Sequence, residues 1–435
     1  MRSLLTSPLF LTRFVAGVLA VAFVSAIAAA QQATEGELPR ERTVPAEEKL
    51  RLDLENSRLR LGPLRLIPRF AVSGGYESNV FGTTSNETDD WTLATTVGTR
   101  FVLPLGSKVY LHGTALPRYI WYAELEERRR WTGAGDAALI GFFNRVSLEV
   151  GARGSRTYGL LSAENPIQTL DDLRQAFVRA EVEISNRILL FGRGELLERR
   201  HSLEEEVPDV DLENARVLDR DIEFAQAGIR FLVWRSLELS VIGEQTRTEF
   251  LASPERDNET EAVNVGLRFN RPRLFINLIG GYRNVRPTGE PPLFSDLSTA
   301  TGSYFVSFFL LRPVELQAYG HRRLGYGLTR INPYYLETLN GGAVQLRIRN
   351  RFILRGFGEY TDVDYPVNLQ LPEGGTPGRR DSVTTFGGGI SMRVFRDISL
   401  TAQISESEYR SRAPVETTTI QRITTGLSFG GEFSR

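Results

Sequence analysis

The feature that most constrains the fold is a two-residue alternation that runs on for too long to be an ordinary strand. From Trp91 to Leu103, most odd positions hold apolar residues, and most even positions hold small, polar or charged ones. The run is about twice the five or six residues of an average strand. A turn at Pro104–Ser107 follows, and the alternation then resumes. Some physical demand therefore keeps these strands long.

Segments with the same alternation recur along the chain. We place eighteen of them, at 66–76, 91–103, 108–121, 131–143, 146–156, 174–184, 188–199, 221–232, 237–248, 259–269, 274–284, 301–310, 314–322, 334–348, 352–360, 382–395, 398–408 and 419–433. Short turns, such as Asn144-Arg145, follow the even-numbered segments, and long polar loops follow the odd-numbered ones. This regular pattern predicts an up-and-down antiparallel meander with all short turns at one end.

One face of each segment is apolar and the other is polar or charged, as where Val344 and Leu346 alternate with Gln345 and Arg347. A soluble propeller also repeats every 40–45 residues, but it needs four strands per blade. We therefore predict an all-β transmembrane antiparallel β-barrel of about 18 strands, with short periplasmic turns and long extracellular loops. Two aromatic girdles fit a bilayer, although β-propensity alone also enriches strands in aromatics. The outer girdle, near the long loops, consists of Tyr76, Trp91, Tyr119, Trp121, Trp131, Tyr282, Tyr304 and Tyr360. The inner girdle, near the short turns, consists of Phe101, Phe143, Phe231 and Phe269.

The N-terminus predicts export to the bacterial outer membrane. Arg2 and Arg13 precede an apolar core, Phe14–Ala30, that ends in small residues, which is typical of a signal peptide cleaved after Ala30. The alternative is a retained anchor helix, for which this core is short. A charged periplasmic lead-in then occupies residues 31–65, and the barrel occupies 66–435.

Composition and motifs argue against several functions. The net charge of -1 disfavours a nucleic-acid partner. The chain has no cysteine and only three histidines, so it offers few ligands for a metal and no thiol nucleophile. No hydrolase motif accompanies the histidines. We therefore predict no enzyme activity, no cofactor and no metal site. The acidic run Glu204–Glu206 offers oxygen ligands for calcium, but its spacing better fits a solvated loop. Gly387–Gly389 lies inside a strand, where it relieves curvature.

The stretch LGPLRLIPRFAVSGGYESNVF, residues 61–81, resembles the opening of the type 2 β-barrel porins of bacteria. The motif that carries the resemblance runs from Gly75 to Phe81 as Gly-Tyr-Glu-Ser-Asn-Val-Phe. The resemblance implies an outer-membrane protein without catalytic residues, in a family of which some members are associated with exopolysaccharide production. The C-terminus departs from the outer-membrane pattern, because Ser434-Arg435 stand where a terminal aromatic residue is customary.

Charged residues on the polar face are the candidates for lining a pore. They are Arg100, Arg118, Arg179, Arg193, Arg230, Arg268, Arg347, Arg355, Arg393, Glu181, Glu195, Glu238 and Glu359. They either set the selectivity of a water-filled pore for anionic or sugar-like solutes, or form an ion-pair network that stiffens the wall. Loops that plug the lumen are a further alternative. We also predict that Arg100, Arg179, Arg268 and Arg347 form a partial ring of positive charge.

The predicted function is a porin-like channel for passive diffusion of small hydrophilic solutes. The alternatives are an outer-membrane accessory of exopolysaccharide export and a structural or adhesive surface barrel. The expected partners are outer-membrane lipids and lipopolysaccharide, the outer-membrane assembly machinery, and small solutes or polysaccharide.

Overall fold

The structure is a computed structural model. It describes residues 46–84, 87–163, 167–202, 216–292, 295–328, 332–349, 351–365, 380–395, 397–412 and 415–430. The predicted signal peptide, the acidic run at 204–206 and the C-terminal residues 431–435 lie outside the described residues. No described helix combines the length and the hydropathy needed to cross a membrane.

One α-helix and nineteen strands make up the described chain. The helix is α1 (Ala46–Glu55), and two 3₁₀ turns lie at Glu126–Arg128 and Pro254–Arg256. The strands are β1 (Leu59–Leu61), β2 (Leu64–Glu77), β3 (Asp90–Pro104), β4 (Val109–Tyr122), β5 (Arg130–Phe143), β6 (Val146–Leu160), β7 (Gln168–Ser185), β8 (Ile188–Ser202), β9 (Arg220–Trp234), β10 (Leu237–Phe250), β11 (Asn258–Asn270), β12 (Leu274–Pro287), β13 (Leu297–Leu311), β14 (Val314–Tyr326), β15 (Tyr334–Ile348), β16 (Phe352–Asp364), β17 (Arg380–Phe395), β18 (Ile398–Arg412) and β19 (Val415–Phe429).

Strands β2 to β19 form one closed antiparallel barrel. Each strand pairs with the next along the chain, and β19 lies beside β2. The closing seam is tied by the Ser78 N–H, which donates to the Gln421 carbonyl at 3.0 Å, and by the Thr425 hydroxyl, which donates to the Gly74 carbonyl at 3.3 Å. Closure leaves no unpaired sheet edge, which a hydrocarbon environment could not satisfy. The predicted eighteen-strand antiparallel barrel is confirmed.

The alternation in the sequence separates the two faces of the wall. Val97 on β3 is 58% exposed on the outer face, whereas Val102 of the same strand faces inward and is fully buried. The predicted outer girdle also faces outward: Trp91 and Trp131 are exposed, and they pack against Tyr76 and Tyr119 with ring centroids 5.2 and 5.4 Å apart. Strand parity therefore predicted the direction of these side chains correctly.

The short turns lie at one end of the barrel, as predicted. The β5–β6 turn contains only Asn144 and Arg145, and Asn144 adopts φ 57°, a left-handed conformation that asparagine tolerates well. One connection at the other end differs from the prediction. A long loop was expected between 408 and 419, but β18 continues to Arg412 and β19 already begins at Val415, so that the Thr417–Thr419 run is part of a strand.

Candidate functional site: the barrel lumen

The candidate site is the inner wall of the barrel. All predicted pore-lining residues lie on the inward-facing register of their strands. On β7, for example, Phe177 is buried and Arg179 is partly buried, while Val178 between them is exposed on the outer face. The register places Arg179 directly opposite Arg193 on β8, and Arg193 opposite Gln226 on β9. The lumen therefore brings together side chains that are far apart in the sequence.

A charged lattice covers the inner wall from β6 to β10. Arg179 Nη1 lies 3.3 Å from Glu149 Oε2, and Arg179 Nη2 lies 3.9 Å from Glu195 Oε1. Arg193 also donates to the Glu195 carboxylate. On the neighbouring strands, Arg230 lies 3.0 Å from Glu238. Each of these guanidinium groups is thus balanced by at least one carboxylate.

The predicted carboxylate candidates belong to the same lattice or to a separate hydrogen bond. Glu181 lies 3.9 Å from Arg230, which places this arginine between two acids. Glu359 lies away from the lattice on β16, and its carboxylate accepts a 2.6 Å hydrogen bond from the Tyr319 hydroxyl. The donor in this hydrogen bond is a neutral hydroxyl group and not an arginine.

Aromatic rings lie beneath several of the guanidinium groups. Arg179 lies over the Phe177 ring at 4.5 Å, and Arg230 lies over the Phe191 ring at 5.2 Å. Such stacking is typical of arginine, whose planar group interacts with the face of a ring while its edge still donates hydrogen bonds. The contacts hold the arginines against the wall.

The four arginines of the predicted ring have different partners. Arg100 and Arg347 pair with Asp53 and Glu315, in each case at 2.9 Å, and Arg179 pairs with Glu149. Arg268 lies over the Phe275 ring at 5.7 Å. The charge of at least three of the four is therefore offset by a nearby carboxylate.

The remaining predicted residues also line the wall. Arg355 lies over the Phe357 ring at 5.7 Å. Arg118 lies opposite Thr132 of β5, and Arg393 lies opposite Ser399 of β18. None of these contacts joins the three arginines to one another, so they line the lumen separately.

Helix α1 occupies the lumen at the short-turn end. Leu50 packs with the inward-facing Val102 and Ile140 in one apolar cluster, and Asp53 forms the ion pair with Arg100. Shortly after the helix in the chain, the Arg58 guanidinium lies over the Phe429 ring, 4.5 Å from its centroid. The predicted charged lead-in thus contains a helix that is anchored to the inner wall.

A second apolar cluster fills the inner face of β12 to β16. Phe275, Phe305 and Tyr319 are almost completely buried, and Leu339 and Ala343 pack with them. This cluster thickens the wall on one side of the barrel.

The β6–β7 loop reaches across the opposite end of the barrel. The Ala163 N–H donates to the Tyr335 hydroxyl at 3.1 Å, although β6 and β15 are nine strands apart in a ring of eighteen. From the same loop, Leu161 packs with Leu218 and against Leu328, which belong to two other connections. Three connections thus converge over the mouth of the lumen.

Two buried arginines hold further loops at this mouth. Arg128 is only 3% exposed, and its guanidinium lies over the rings of Tyr158 at 4.4 Å and Phe81 at 5.0 Å. Arg256 is 1% exposed and donates to the carbonyls of Gly327 and Leu328. Arginines used in this way hold the loops in place.

Neither α1 nor the crossing loop was identified from the sequence as part of the site. The heptad-like spacing of Leu50 and Leu54 is too short a signal by itself, and nothing in the stretch Leu161–Ala163 marks its contact with Tyr335. Within the described residues, no group of three or more histidines and acids is arranged to hold a metal ion.

Comparison with solved structures gives the same architecture. The barrel is similar to OccK1 (OpdK) of Pseudomonas aeruginosa, an outer-membrane protein, with a TM-score of 0.50 and 11% identity over 84% of this chain and 98% of that chain. The chain has the fold of an outer-membrane β-barrel. Acinetobacter baumannii OccAB3 has a TM-score of 0.49 and 11% identity, over 84% of this chain and 99% of that one. For P. aeruginosa OccK2 (OpdF) in complex with glucuronate, the values are 0.48, 11%, 84% and 98%.

At this level of identity, the likeness concerns the fold alone. No family model matches the chain. No curated protein matches its sequence either. The resemblance to the type 2 β-barrel porins therefore remains a prediction.

Proposed function

We propose that this protein is an outer-membrane channel for the passive diffusion of small hydrophilic solutes. The observation that carries the proposal is the charged lattice on β6–β10, which lines the inside of a closed barrel and includes the partly exposed Arg179, Arg193 and Arg230. A wall that faces only packed protein would not need so many solvated charges, whereas a water-filled passage does.

The size of the solute is limited at both ends of the barrel. Helix α1 takes up part of the lumen at the short-turn end, and the β6–β7 loop crosses the mouth at the Ala163–Tyr335 hydrogen bond. A path narrowed in this way suits small molecules better than a polymer. This argues against the alternative in which the barrel exports exopolysaccharide, which rests on the resemblance of residues 61–81.

The charge of the lumen favours sugar-like over strongly anionic solutes. Arg179, Arg230 and Arg347 each have a carboxylate within 3.3 Å. Paired charges of opposite sign largely cancel beyond a few ångströms, so they exert a weaker attraction on ions than isolated arginines would. Their remaining donors and acceptors can still bond the hydroxyl groups of a solute.

Reconstitution tests the proposal directly. The refolded protein, checked by heat-modifiable migration in a gel, is inserted into planar bilayers in KCl and into liposomes. We expect stepwise ion currents, fast swelling in arabinose and no swelling in dextran, with heat-denatured protein as the control. Folded protein that gives no current would overturn the proposal and favour a structural or adhesive barrel. Swelling in polysaccharide fragments would favour export.

A further inference from the structure

A wall of uncharged hydrogen-bonding residues lies on the side of the lumen opposite the charged lattice. The inward-facing positions of β18 from Ser399 to Ser407 are all serine, threonine or glutamine, and those of β19 from Thr424 to Ser428 are threonine, glycine and serine. On β17, the positions from Thr385 to Ser391 add only threonine, glycine and serine. We name these inward-facing positions of β17–β19 the hydroxyl wall.

The composition of the hydroxyl wall differs from that of the charged lattice. A water-filled interior requires polar groups, and the charged lattice on the opposite side supplies them as arginine and glutamate. Here the side chains are short and carry no charge. They also bond across the strands: the Ser399 and Ser428 hydroxyls are 2.7 Å apart, and those of Thr385 and Ser407 are 3.0 Å apart. The wall is therefore both thin and rich in donors and acceptors.

Two other parts of the inner wall are covered by packed residues. Helix α1 covers the inner face of β3 to β5 around Val102 and Ile140, and the aromatic cluster of Phe275, Phe305 and Tyr319 thickens the wall of β12 to β16. Strands β8 and β17 are nine positions apart in a ring of eighteen, so the charged lattice and the hydroxyl wall face each other. Neither α1 nor the aromatic cluster covers these two facing walls.

We propose that solutes pass along the hydroxyl wall and that the channel prefers polyhydroxylated, uncharged solutes of the size of a small sugar. The inference rests on the proposed function and specifies the solute class. Serine, threonine and glutamine side chains each offer a donor and an acceptor, so they can exchange hydrogen bonds with successive hydroxyl groups of a sugar as it moves. Each such bond contributes little, which permits entry without trapping the solute.

A matched pair of triple variants tests the inference. The wall variant combines Thr401→Val, Gln403→Met and Ser405→Ala, which remove hydrogen-bonding groups at nearly constant volume. The control combines Thr301→Val, Gln317→Met and Ser303→Ala on β13 and β14, which are inward-facing but lie on the thickened side of the barrel. The probes are arabinose and a zwitterionic amino acid of similar mass, and the readouts are liposome swelling and KCl conductance in planar bilayers.

We expect the wall variant to lower arabinose uptake about tenfold relative to the amino acid, the equivalent of one to two lost hydrogen bonds, with KCl conductance changed less than about twofold. The control should retain the preference of the unmutated protein. An equal loss in both variants, or none in the wall variant, would overturn the inference while leaving a conducting channel in place. A lack of conductance in the unmutated protein would overturn the proposed function itself.

If the triple wall variant fails to fold, Gln403→Met alone should give a smaller loss in the same direction, and an unchanged preference would count against the inference.

Discussion

Arg100 on β3 and Asp53 on α1 form an ion pair inside the barrel, with Nη1 and Oδ1 2.9 Å apart and both side chains largely buried. The pair joins the segment that precedes the barrel to its inner wall. Because removal of one partner leaves the other charge buried without compensation, this contact is a sensitive point for the position of α1.

The first prediction concerns that position. In a Val102→Cys background, the thiol lies behind α1, and the protein has no other cysteine. Asp53→Asn should release the helix and raise the rate of thiol labelling at least about tenfold, because loss of one partner of a buried pair costs on the order of 3 kcal/mol. Glu55→Gln is the control, since this exposed residue pairs only loosely with Arg51 at 3.8 Å. Equal labelling in the two variants would show that the ion pair does not hold α1.

The second prediction concerns the mouth. Tyr335→Phe removes the hydroxyl that accepts the Ala163 N–H but keeps the ring that packs with Val363. A lost hydrogen bond of about 1 kcal/mol should make brief openings of the β6–β7 loop about fivefold more frequent, visible as increased noise in the open-channel current. Tyr360→Phe on the outer face should leave the noise unchanged. A quiet Tyr335→Phe channel would mean that other contacts hold the loop.

The third prediction tests which face of β18 meets lipid. Ile404 is 58% exposed on the outer face near the middle of the strand, and Gln403 beside it faces the lumen. Ile404→Arg should lower the free energy of unfolding in urea by about 2–4 kcal/mol, whereas Gln403→Arg should cost much less. The measurement is an unfolding titration followed by tryptophan fluorescence. A similar loss in both variants would contradict the assignment of the two faces.

The fourth prediction concerns charge selectivity. Arg230 lies between Glu238 at 3.0 Å and Glu181 at 3.9 Å, so Arg230→Gln leaves two carboxylates with less compensation. The reversal potential under a KCl gradient should then shift towards cation preference. Adding Glu238→Gln should bring it back towards the unmutated value. If the double variant shifts as far as the single one, the pair does not control the field in the pore.

Much of the barrel could be predicted from the sequence because strand parity is a local property. Residues two positions apart point to the same face whatever the rest of the chain does, so the inward direction of Arg347 and the outward direction of Trp91 followed directly from the alternation. The number of strands followed in the same way from repeated alternation and turn signals. The last hairpin is the exception, because the polar Thr417–Thr419 run continues a strand where a loop was expected.

Local patterns in the chain therefore specify the wall: its strands, their two faces and the end at which the short turns lie. The packing inside the barrel depends instead on contacts between segments that are distant in the chain. The Ala163–Tyr335 contact joins residues 172 positions apart, and the Arg347–Glu315 pair depends on the register between β14 and β15. The docking of α1 likewise depends on an apolar patch assembled from three strands, β3, β4 and β5. Strand pairing and packing across the barrel bring these segments together, and no local pattern in the chain specifies which distant residues meet.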